Sequence, residues 1–172
     1  MEAISHVLTG VLIQLVCFIF FTFPLNIIFT IIFAFLSHFL IDALAKFTYH
    51  TPEPHKEDTF WVVWHIITPL ILVSAIIWSI IIGKFFFFLL GAFFANLVDI
   101  IDWGIYRPFL AEKRNPEGSD EVKPYIMHRG IDFIRKKVPP FSWLPNLNEN
   151  KKGVITEIVI IILLWVFVIL LL

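Results

Sequence analysis

A single cysteine, Cys17, among 172 residues leaves no intrachain disulfide and no cysteine-based zinc motif. Charge is scarce too: 16% of the residues are Asp, Glu, Lys or Arg, against about 25% in an ordinary soluble domain. With 59% of residues hydrophobic and a mean hydropathy of +0.87, so few charges could not cover the apolar surface of a soluble protein. No basic stretch precedes the first apolar run, and that run ends in FTFPLN without a small-residue cleavage site. This is the pattern of a retained helix, not of a removed signal peptide. No internal repeat is visible. These absences predict an all-α polytopic membrane protein, with residues 1–172 forming one integral membrane domain.

About twenty apolar residues cross a bilayer core of roughly 30 Å. Five segments qualify, at about 4–22, 25–46, 60–82, 85–106 and 154–172. Pro24 cannot continue a helix, so the first two spans form a tight hairpin. Gly83 and Lys84 separate the third and fourth, and residues 107–152 form a long polar segment before the last. With five spans, twelve of the thirteen Lys and Arg fall on one side and only Lys84 on the other. The positive-inside bias then puts the N-terminus, the 47–59 link and the 107–152 segment in the cytoplasm of a cell (inner) membrane, with the C-terminus outside.

That sidedness sorts the polar residues by depth. His6 opens the first span, His38 and Asp42 lie in the cytoplasmic half of the second, and His65 is about one turn into the third. Asp99 and Asp102 lie in the cytoplasmic half of the fourth, and His128 lies in the cytoplasmic segment. His38 and Asp42, four apart, share a helix face. A charge in mid-helix costs around 2.5–3.5 kcal/mol on insertion scales, so these carboxylates are expected to face each other, the histidines, water or a cation. Each residue also has a plainer explanation: a local hydrogen bond for His38 and Asp42, contact with interfacial water for Asp102, packing among tryptophans for His65. Taken together, imidazoles and carboxylates form the ligand set of zinc, or of manganese or iron. A cation would also relieve the repulsion between neighbouring aspartates. A proton relay would use the same residues without a metal.

The pieces SHVLTG, SHFLIDALA, LLGAFFANLVDIIDW and MHRG resemble the membrane-bound metal-dependent hydrolases, small polytopic proteins of the bacterial inner membrane. His38 and Asp42 match that family's His-x-x-x-Asp pair, His6 its early histidine, and His128, Arg129 and Gly130 the start of its His-Arg-Gly motif. Asp99 and Asp102 stand three apart where the family's aspartates stand two apart. Trp103 and Phe133 occupy positions where the family has histidines, and the motif order differs. The resemblance implies a divalent metal and hydrolysis of an ester or phosphoester in a lipid or another membrane-associated substrate. The expected ligands are His38, Asp42, Asp99 and His128, with His65 and Asp102 as further ligands or as groups that support the ligands. Asp99 or Asp102 would act as general base, and Arg129 would clamp a phosphate. The rival readings are a proton- or ion-coupled transporter and a non-catalytic membrane subunit.

The 107–152 segment carries ten Lys or Arg against six acidic residues, a net of +4. YIMHRGIDFIRKK within it predicts a short amphipathic helix. Anionic membrane lipid accounts for such a basic stretch, so no nucleic-acid partner is expected.

Overall fold

The structure is a computed structural model and describes residues 2–49, 57–111, 126–148 and 150–172. Of the described residues 82% are helical, and none is in a strand. The elements are α1 (Ala3–Phe20), α2 (Leu25–Leu44), α3 (Thr59–Ile81), α4 (Phe85–Ala95), a short α5 (Leu97–Asp99), α6 (His128–Lys137) and α7 (Lys152–Leu171). Single 3₁₀ turns lie at Ala45–Phe47 and Phe141–Trp143, and α5 winds on into a π-helical stretch, Ile100–Ala111. Four helices are long and apolar enough to cross a membrane, or five if the bent pair Phe85–Ala95 and Leu97–Tyr106 counts as one span.

Local chemistry explains the boundaries. The Asp58 carboxylate accepts the Phe60 N–H at 2.9 Å and caps the start of α3. Gly83, at φ +70°, ends that helix; the Lys84 N–H bonds back to the Ser79 carbonyl at 2.9 Å, a Schellman closure that needs the left-handed residue.

The first helix is the hub: α1 packs against α2, α3, α4 and α7, and α2 also packs against α4 and α6. The crossing of α1 and α4 is set by glycine. A Cβ on Gly10 would collide with the Gly91 carbonyl, and one on Gly91 with the Gly10 carbonyl. One turn further along α1, the Gln14 amide donates to the Phe87 carbonyl and accepts the Gly91 N–H. It thus joins two backbone groups of α4 four residues apart, and backbone contact plus an interhelical hydrogen bond hold the pair together.

The fourth predicted span is not one straight helix. It breaks at Asn96 and bends by 58°. The Asn96 side chain donates to the Ala92 carbonyl at 2.8 Å, a local bond that competes with the helical ladder. Beyond the bend Asp99 lies beside His38 of α2, and the Ala95 carbonyl just before it is taken by a side chain of the site.

Candidate metal centre

His38 and Asp42 of α2, Asp99 at the end of α5 and His128 at the start of α6 bring one nitrogen or oxygen atom each to within 4.8 Å of one another. The sequence placed them on separate elements; the bend at Asn96 and the docking of α6 bring them together.

Both imidazoles are held by Nδ1, with Nε2 facing inward. His38 Nδ1 lies 2.7 Å from the Ala95 carbonyl, which can only accept, so the proton is on Nδ1. His38 Nε2 then faces Asp42 Oδ2 at 3.4 Å and Asp99 Oδ1 at 3.7 Å, fully buried. His128 Nδ1 lies 2.7 Å from Asp102 Oδ2, and its Nε2 faces Asp42 Oδ2 at 3.4 Å and Asp99 Oδ1 at 3.3 Å. Two imidazole nitrogens and two carboxylate oxygens thus surround a common centre, which protons or a cation must neutralise.

Ligand atoms about 2.0–2.1 Å from one zinc ion in a tetrahedron stand about 3.3–3.4 Å apart; four of the six edges here, the nitrogen–oxygen ones, measure 3.3 to 3.7 Å, and the other two lie within 4.8 Å. Two neutral imidazoles and two carboxylates would balance a divalent charge. The centre is closed on one side and open on the other: the His38 side chain is fully buried, while that of Asp99 is 33% exposed.

The supporting groups follow the metal-site pattern in which the other nitrogen of a ligating histidine is tied to a carboxylate or carbonyl. Asp102 is fully buried. Its Oδ1 accepts the N–H groups of Ile126 and Met127 at 2.9 and 3.0 Å, and its Oδ2 accepts that of His128 at 2.9 Å. One carboxylate therefore satisfies the first N–H of α6 and the two that lead into it and also orients the His128 ring. These four N–H groups occupy both its oxygens, which makes it a positioning group. Burial alone would lower the His128 pKa, but its hydrogen bonds to Asp42, Asp99 and Asp102 outweigh that and carry it up to about 10.

Two neighbours of the centre were not among the expected site residues. His6 Nε2 lies 3.1 Å from Asp42 Oδ1, and the His6 ring stacks on His38 with centroids 4.1 Å apart. Gly10 and Gln14, four and eight residues on, meet α4, while His6 meets α2; its match to the early histidine of the resembling family was the signal that pointed to it. The other is Arg135, which donates through Nε and Nη2 to the Asp42 carbonyl at 2.8 and 2.5 Å. It follows His128 by seven residues, two turns along the same face of α6.

His65 and Arg129 are placed differently. The His65 Nδ1–H donates to the Trp61 carbonyl at 2.8 Å, the ring stacks on Trp61, and the residue is not one of the four convergent groups. Arg129 is exposed. His50 and His55 lie outside the described residues. No family model matches the chain, and neither does any curated protein or solved structure.

Proposed function

We propose that the chain is an integral membrane hydrolase in which His38, Asp42, Asp99 and His128 hold one divalent cation, zinc ahead of manganese or iron, at the cytoplasmic interface. The observation that carries this reading is the pair of inward-facing Nε2 atoms, each 3.3–3.7 Å from the same two carboxylate oxygens. The substrate is an ester or phosphoester of a lipid or another membrane-associated molecule. A cation bound there would polarise the scissile group and lower the pKa of an attacking water. Asp99, the most exposed carboxylate of the group, would accept the proton of that water through the oxygen not turned to the imidazoles.

Membrane insertion through five spans is supported by the outward faces of the helices. Ile66, Leu70, Val73, Ile77 and Ile80 on α3, and Ile155, Ile158, Ile162, Val166 and Ile169 on α7, are all exposed. Such rows of bare apolar side chains suit lipid better than water. The twelve-to-one distribution of Lys and Arg supports a cytoplasmic position for the donor cluster.

Elemental analysis of the full chain, purified in detergent, tests the proposal. Wild type is expected to carry about one equivalent of metal, as a four-ligand site holds one ion, and His38→Ala to lose it. A wild-type protein free of zinc, manganese and iron after growth in their presence would overturn the reading and favour proton-coupled transport.

A further inference from the structure

The seam between α2 and α6 continues past the donor cluster into a polar cleft of about 400 Å³, lined by Lys46, Asp132, Arg135, Lys136, Ser142 and Asn146 among others. Three cationic side chains thus share the cleft with one carboxylate. Lys46 follows Asp42 by four residues and His38 by eight, on the 3₁₀ turn that continues α2. It therefore stands about 6 Å further along that helix than Asp42.

Neither Lys46 nor Arg135 has a carboxylate partner among the described residues. Lys46 Nζ reaches only the carbonyls of Phe141 and Ser142, at 3.3 and 3.4 Å, near the long limit for such a bond. Arg135 uses Nε and Nη2 on the Asp42 carbonyl, so two of its five N–H donors are engaged. The carbonyl also anchors the guanidinium, which reduces the ordering cost of a further bond. Half-buried cations satisfied only by neutral carbonyls form an anion site, and a guanidinium beside an ammonium suits phosphate in particular.

We infer that this cleft holds a phosphate group of the substrate, and that the substrate class is a phosphorylated amphiphile whose scissile ester lies over the donor cluster one turn away. The substrate assignment rests on the hydrolase reading above; the phosphate site does not.

Calorimetric titration of the full chain in neutral detergent tests the inference, with inorganic phosphate, short-chain phosphatidic acid and, as the uncharged control, short-chain diacylglycerol. Phosphatidic acid is expected to bind and diacylglycerol not. Removing one charged hydrogen-bond donor, in Lys46→Gln, should weaken phosphatidic acid binding by about ten- to a hundredfold, and Lys46→Arg should restore most of it. Phosphatidic acid binding well above inorganic phosphate supports both the site and the amphiphile; equal affinities assign free phosphate, which keeps the phosphate site and overturns the amphiphile as substrate class. Absence of binding, or unchanged binding in a folded Lys46→Gln, overturns it. Should Lys46→Gln fold poorly, the exposed Lys136→Gln replaces it, with a several-fold loss expected and wild-type affinity again overturning the site. His38→Ala should lose metal but keep phosphate binding, so failure of the hydrolase reading is distinguishable from failure of the phosphate site.

Discussion

Replacing Asp102 by Asn changes almost no volume, yet it should damage the proposed metal centre although Asp102 is not one of the four convergent groups. Asp102 Oδ1 accepts two N–H groups and Oδ2 accepts the backbone N–H and ring Nδ1–H of His128. An asparagine has one acceptor oxygen. If that oxygen serves Ile126 and Met127, its NH₂ meets the two His128 donors head-on; the flipped amide abandons the other pair. Each charge-assisted hydrogen bond is worth about 1.5–3 kcal/mol, so losing two inside a fully buried contact should cost about 3 kcal/mol or more. Loss of the carboxylate that orients a ligating histidine typically lowers metal affinity about 10- to 100-fold. Competition against a chromophoric chelator reads the affinity, and thermal unfolding with the metal chelated reads the stability. Asp102→Asn with metal affinity within about threefold of wild type and an unchanged unfolding temperature would refute the argument.

With its pKa carried up to about 10 from an ordinary 6.5, His128 as imidazolium contributes stability to the chelator-treated protein that is full below about pH 6.5 and fades as pH rises toward 10. Metal affinity should run the other way, rising close to about tenfold per pH unit between roughly pH 7 and 9, because the cation must displace that proton; chelator competition at several pH values checks the slope. His65→Ala should leave metal content at the wild-type level in elemental analysis, since its ring is engaged with Trp61. Gly91→Ala places a Cβ against the Gly10 carbonyl and should destabilise the α1–α4 crossing by about 1–3 kcal/mol, read by thermal unfolding in detergent.

The helices were legible because hydropathy alone marks them: α1, α2, α3 and α7 begin and end within about two residues of the runs read from sequence. The pairing of His38 with Asp42 was legible for a similar reason, as residues four apart share a face whatever the tertiary fold. The break at Asn96 was not, because a single Asn within LLGAFFANLVDIIDW does not force a bend; its side-chain bond to Ala92 is one competing option among several. Depth in the membrane placed His65 with the other histidines but carries no information about rotation around α3, and rotation decided which groups it meets. Arg129 and Arg135 look alike in sequence. Only the docking of α6 through His128 and the buried Ile131 turns Arg135 toward α2.

The clasp between Asp102 and the start of α6 also imposes an order of events on biogenesis. Chains emerge from the ribosome N-terminus first, so His6, His38, Asp42, Asp99 and Asp102 are all made before His128 exists. A nascent chain halted after its fourth span would own three donors and no fourth, and a weak grip on any ion. Threading of α6 onto Asp102 completes the set, so on the metal reading proposed above loading of the cation would be a late checkpoint that truncated or stalled chains fail.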